Sequence, residues 1–191
     1  SVDWGDTEDN TNIRAFHETG CIQLPYALEV DLNPQLDAPD VIYNNNGSIP
    51  NSNDPGWWVG DSFPDQYPGH TYSTIPASTP VVCILLHMDS INGVYAEATG
   101  GVRLDNDVLG IITSTTLLED SDDACAAPGV DYPAHRSAGG YPYRGMDGED
   151  GVQFRHFTDH DEVNVRFKVT NPGDHVRILK ACKPPPLHRH G

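Results

Sequence analysis

Carboxylates supply most of the chemistry available to this chain, and they fall into three groups. Asp105 and Asp107 flank Asn106 between two apolar runs, Glu119, Asp120, Asp122 and Asp123 follow soon after, and Asp147, Glu149 and Asp150 lie in MDGEDG. Aspartates two apart on a turn can aim both carboxylates at one ion. Calcium takes about six to eight oxygens from such side chains and nearby carbonyls. Calcium is therefore the expected cofactor, with Asp105, Asp107, Asp120, Asp122, Asp123, Asp147, Glu149 and Asp150 as candidate ligands. The plainer reading is that these residues form turns and solubilise the chain. None of the segments is an EF-hand, because no Glu closes a loop of about twelve residues with Gly at its middle.

The other reactive side chains point less sharply. His156 and His160 are four apart, but in a strand-and-turn segment rather than on a helix. Asp159-His160-Asp161 reads more simply as a hairpin turn than as a metal site or an acid–base pair, and His70, His87 and His135 read as packing residues. No GxSxG elbow, HExxH or P-loop occurs. Carboxylates such as Asp122 and Asp147 would serve glycoside hydrolysis only if about 5 to 9 Å apart. An extracellular hydrolase using the acidic loops is thus an alternative, and no catalytic residue is assigned. Asp174 and Arg177, three apart, are expected to make a structural ion pair.

Two adjacent tryptophans, Trp57 and Trp58, interrupt a polar region. Neighbours on a strand point to opposite faces, so one ring can be buried while the other is exposed. With Tyr67 and Tyr72 they form a candidate sugar-stacking surface, which supports a lectin-like alternative. The plainer reading is that both rings cap the core.

Cys21, Cys83, Cys125 and Cys182 are widely spaced and form no CxxC knuckle. An even set of this kind suggests two disulfides and an oxidising compartment. Spacing does not choose among the three pairings; the favoured one joins Cys83 to Cys125 and Cys21 to Cys182. The segment SVDWGDTEDN has neither the basic start nor the apolar stretch of a signal peptide. The cysteines then favour a secreted protein whose signal has been removed over a cytosolic one. A net charge of −17, from 28 acidic and 11 basic residues, argues against nucleic-acid and anionic-lipid partners. Asp outnumbers Glu by 21 to 7, as turn-rich or calcium-holding loops favour. Mean hydropathy is −0.47, and no apolar run reaches the ~20 residues of a membrane span.

Short strands must position these groups. VVCILLHM at 81–88 is the most apolar run and reads as a buried strand. Ile22, Leu24, Tyr26, Leu28, Val30 and Leu32 alternate with polar positions, as a strand wet on one face requires, although Pro25 implies an edge or a bulge. IRAFHE (13–18), VYAEA (94–98), VRL (102–104), VLGIIT (108–113), VQFRHF (152–157), EVNVRFKV (162–169) and HVRILK (175–180) complete the set. Val163, Val165, Phe167 and Val169 should share one face. Turn chemistry dominates 33–80 and 119–151, and Asn46-Gly47-Ser48 matches a glycosylation acceptor. No segment shows a helical stripe. The expected fold is all-β, an antiparallel β-sandwich of Greek-key or jelly-roll type with long loops. It forms one domain over 1–182, with an extended tail at 183–191.

Several short elements occur in an order that resembles a β-rich module of exported or surface bacterial proteins. They are Leu86-His87-Met88-Asp89, RLDNDVLGII, Ser121-Asp122, Tyr132-Pro133, Arg144-Gly145-Met146-Asp147, and Pro172-Gly173-Asp174-His175-Val176-Arg177-Ile178-Leu179. The resemblance spans roughly residues 70–180. It implies an extracellular β module and supplies no catalytic residues. The functional expectation is a secreted, disulfide-stapled, calcium-stabilised protein of adhesion, extracellular-matrix assembly or surface ligand binding. Its expected partners are an extracellular glycan or a matrix or surface protein, a second copy of the chain included.

Overall fold

Ten strands and two short helices form among the residues that the computed structural model describes, which are 11–34, 72–90, 94–130, 132, 144–146, 150–169 and 173–182. In order they are β1 (Arg14–His17), β2 (Ile22–Gln23), β3 (Leu28–Val30), β4 (Ser73–Ile75), β5 (Pro80–Met88), β6 (Ala96–Leu104), β7 (Val108–Ile112), α1 (Thr115–Asp120), α2 (Asp122–Cys125), β8 (Gly151–His156), β9 (Asp161–Val169) and β10 (Asp174–Ala181). The chain is all-β in class, and the strands pair antiparallel throughout.

Three sheets result. The largest runs β1-β5-β10-β7, with β2 also paired to β5; β3 pairs with β4; and the third sheet runs β6-β9-β8. One apolar cluster joins Ile84, Leu86, Met88, Ile111, Val176 and Ile178 of the largest sheet to Val152, Phe154, Val163, Val165, Phe167 and Val169 of the third. A second cluster lies on the opposite face of the largest sheet, where Val81, Cys83, Leu85, Ile112 and Leu179 meet Leu28, Val30, Ile75, Leu117 and Leu118. The two faces explain the two sequence patterns. β5 is apolar throughout because both of its faces are covered, whereas β9 alternates because only one is. The small sheet comes so close to β7 that a Cβ on Gly110 would meet Val30 Cγ1 at 2.7 Å and Ile75 Cδ1 at 2.8 Å.

Several local expectations change. The alternating run from Ile22 to Leu32 is not one strand: it breaks after Gln23 and resumes as β3, with Pro25 and Tyr26 in the break and Tyr26 at 38% exposure. Proline has no N–H to continue the ladder there. Residues 96–98 and 102–104 belong to one strand, β6, carried through Gly100 and Gly101 by nine consecutive pairings with β9, whereas Val94 and Tyr95, expected to open the strand, precede it and are exposed. The segment expected as an acidic loop at 118–123 instead enters α1 and α2, where Leu117 and Leu118 turn inward. Both helices are too short to show a stripe in sequence.

Cys21 lies against Cys182 and Cys83 against Cys125, with Cα separations of 5.8 and 5.6 Å. No helix among the described residues is long and apolar enough to cross a membrane.

Candidate functional site

Alternation along β10 puts Val176 and Ile178 in one core, so His175 and Arg177 must enter the other face of the sheet. Arg177 is fully buried there. Its Nε donates to Glu18 Oε2 at 2.7 Å and its Nη2 to Glu18 Oε1 at 2.6 Å, a two-pronged pair. Nη2 also reaches Asp122 Oδ1 at 2.9 Å, while Nη1 donates to Ser121 Oγ at 2.6 Å and to the Leu118 carbonyl at 2.9 Å. Burial alone works against the guanidinium's charge, but Glu18 and then Asp122 outweigh it and hold the group charged. Arg144, equally shielded, grips both oxygens of Asp122. The Tyr132 ring lies under this pair, its centroid 4.6 Å from the Arg144 guanidinium carbon, and its hydroxyl donates to Glu18 Oε1 at 2.6 Å. Burial and the Glu18 charge push that phenol's pKa up.

Beside this network His87 and His175 face each other in register across β5 and β10, their rings stacked at 4.4 Å. The Arg144 carbonyl receives the His175 backbone N–H at 2.9 Å and lies 3.0 Å from its Nδ1. Burial lowers the His87 pKa to about 4 and, with the charge of His87, lowers His175 well below 6.5. These imidazoles are neutral near pH 7. Asp122, Tyr132, Arg144, His175 and Arg177 hold separate segments together in the interior.

The exposed chemistry lies at the rim. The β6–β7 turn and the β8–β9 turn face each other beside the end of β10 and enclose a cleft of about 410 Å³. Asp105, Asn106 and Asp107 line one side, and His156, Phe157, Thr158, Asp159, His160 and Asp161 the other. Most of its charges have partners. Lys180 Nζ holds Asp105 Oδ1 at 2.6 Å and keeps that carboxyl's pKa low, and Arg103 meets Asp159 at 3.1 Å. His160 Nδ1 lies 2.7 Å from Asp159, a bond that lowers the Asp159 pKa. Asp161 is buried; its Oδ2 accepts the Val108 N–H at 2.8 Å and its Oδ1 lies 2.7 Å from His156 Nδ1. Phe157 is 39% exposed and stacks on His160 at 4.5 Å.

The carboxylates singled out by sequence therefore separate. Asp105 and Asp107 line the cleft, whereas Asp120, Asp122, Asp123 and Asp150 do not. Asp122 is spent on Arg144 and Arg177, and the Asp120 backbone carbonyl accepts the Tyr26 hydroxyl at 3.1 Å. Asp123 follows Asp122 in the first turn of α2, and Asp150 is buried and accepts the Lys168 N–H at 2.7 Å. Among the described residues no three His, Cys, Asp or Glu side chains gather as a metal site would need. Arg177 takes Glu18 and Asp122 as its carboxylates, not Asp174 as expected, because Asp174 projects on the opposite alternation. His87 is a packing residue as read, with a stacked partner that sequence did not suggest. Tyr72 is exposed at 38%, while Trp57, Trp58, Tyr67, His70, His135, Asp147, Glu149 and Asn46 lie outside the described residues. The network had one sequence signal: a charged residue, Arg177, at a position where alternation demands burial. No protein-family model, curated protein or solved structure matches the chain.

Proposed function

We propose that the chain is a secreted, disulfide-stapled β-sandwich that binds ligand at a surface, in adhesion or matrix assembly, and that its contact site is the acidic cleft between the β6–β7 and β8–β9 turns. The cleft carries this reading. Its volume of about 410 Å³ is within the range of small-ligand sites, and it combines four aspartates with the Phe157–His160 stack. Carboxylates beside an exposed aromatic suit a lysine or arginine side chain, which gains both charge pairing and contact with a ring face. The expected partner is thus a basic segment of a matrix or surface protein. Two cysteine pairs at disulfide distance support an oxidising location.

The test is binding of the whole chain to immobilised lysine- and arginine-rich peptides against acidic peptides of equal length. Binding to the basic peptides should fall steeply with salt and weaken several-fold in Asp107→Asn. Equal binding to both peptides, or none at low salt, overturns the reading. Glycan-array binding that vanished in Trp58→Ala would favour a lectin instead.

A further inference from the structure

Two imidazoles line the rim cleft, and each is set against carboxylate. The His156 side chain is 55% exposed, and its Nδ1 lies 2.7 Å from Oδ1 of the buried Asp161. The His160 side chain is only 11% exposed, and both of its ring nitrogens meet acids. Nδ1 lies 2.7 Å from Asp159 Oδ1, and Nε2 lies 3.3 Å from Glu162 Oε1. A neutral imidazole has one N–H and can donate to one of those oxygens, whereas an imidazolium can donate to both. Phe157 fixes the ring between them, stacked within 6° of parallel, and its backbone N–H donates to the His160 carbonyl at 2.9 Å.

The other charges around the pair come from every neighbouring element. Arg103 ends β6, Asp105 and Asp107 lie in the β6–β7 turn, and Lys180 reaches in from β10. Asp159 belongs to the β8–β9 turn, and Asp161 and Glu162 open β9. Arg103 and Arg155 are the cross-strand neighbours of Glu162 on its two sides. Among the described residues, five carboxylates at this rim thus stand against three fixed cations. Two imidazolium charges would cancel that excess. They would also occupy Asp159, Asp161 and Glu162, which a lysine or arginine of a partner would otherwise take. Histidine is the side chain that changes charge between about pH 5 and 8, a range in which a partner's lysines and arginines stay charged. Asp105 and Asp159, held low by Lys180 and His160, stay ionised there too. We infer that the cleft is a pH-gated receptor, which holds a basic partner while His156 and His160 are neutral and releases it when they gain protons. The gate rests on the cleft's proposed function and adds to it the condition for release.

The test is binding of the whole chain to an immobilised lysine-rich peptide at pH 7.5 and pH 5.5, at one ionic strength and with the fold checked by circular dichroism. Affinity should fall about tenfold at the lower pH, since each of two exposed charges alters binding a few-fold. That ratio should shrink toward one when His156→Gln and His160→Gln are combined, whatever the variant's absolute affinity. Proton NMR titration of the wild-type imidazoles needs no variant. Because linkage is reciprocal, saturating peptide should move the midpoints of both histidines to lower pH. Binding at pH 7.5 that is unchanged at pH 5.5, a double variant that keeps the wild-type ratio, or midpoints that the peptide leaves in place overturns the gate and spares the cleft as a binding site. Absence of binding at pH 7.5 overturns both.

Discussion

Arg177 is a cation with no route to water, and its contribution is set by what it leaves behind. Replacing it with Met would take the cation from Glu18, which is buried and would keep the Tyr132 hydroxyl, and would leave Asp122 to Arg144. Removing one member of a buried ion pair costs about 3–5 kcal/mol. Arg177→Met should therefore lower unfolding free energy in urea by about that amount, whereas Arg103→Met, at the exposed pair with Asp159, should leave it nearly unchanged. The stacked histidines give a pH signature. His87 titrates near 4 when folded and near 6.5 when its environment is lost, so below pH 6.5 the unfolded chain takes the proton first. Stability must fall as pH drops from about 6.5 to about 4, by about 3 kcal/mol for this group. Urea denaturation across that window should show a shallower acid limb in His87→Asn than in the parent. Identical slopes would mean that the imidazole is already charged in the folded protein.

The strands show where sequence is informative and where it is not. β5 and β9 are legible because burial on two faces or one writes itself into the apolar pattern over nine residues each. α1 and α2, of six and four residues, end before a helical period can repeat, so their aspartates read as loop. The buried network was illegible for a different reason. Glu18, Asp122, Tyr132, Arg144 and Arg177 come from separate segments: the pairing of β1 and β10 with β5 brings Glu18 to Arg177, while Asp122 arrives on α2 and Tyr132 and Arg144 from outside the strands. The cleft was half legible: both of its turns were evident, but not that they face one another. The elements also differ in what holds them. Cys83 and Cys125 are fully buried, whereas Cys21 and Cys182 are partly exposed. Mild reductant followed by alkylation and mass spectrometry should label Cys21 and Cys182 first and the other pair only on unfolding. Separations of 161 and 42 residues imply about 5 and 4 kcal/mol of loop-closure stabilisation for the two links. Simultaneous labelling of all four would mean that α2 opens before the ends separate.

At the scale of the whole molecule, charge is unevenly invested. Of 11 lysines and arginines, Arg144 and Arg177 are consumed in the interior against Glu18 and Asp122, and Asp31, Asp150, Asp161 and Asp174 are buried as well, so the surface keeps most of the net charge of −17 with fewer cations to intersperse. Like charges at that density repel most strongly in the compact state and less in the expanded chain. Salt screens the repulsion, with a Debye length of about 10 Å at 0.1 M. The exposed pairs Arg103–Asp159 and Lys180–Asp105 are screened too, but pairs of that kind contribute little. Repulsion therefore outweighs them, and added NaCl should raise Tm, most steeply below ~0.1 M. The buried Arg177 network should not respond, so Arg177→Met should show the same salt dependence from a lower starting point. A Tm that falls with NaCl would mean that attractive surface pairs dominate. A slope that changed in Arg177→Met would mean that water and ions reach the network.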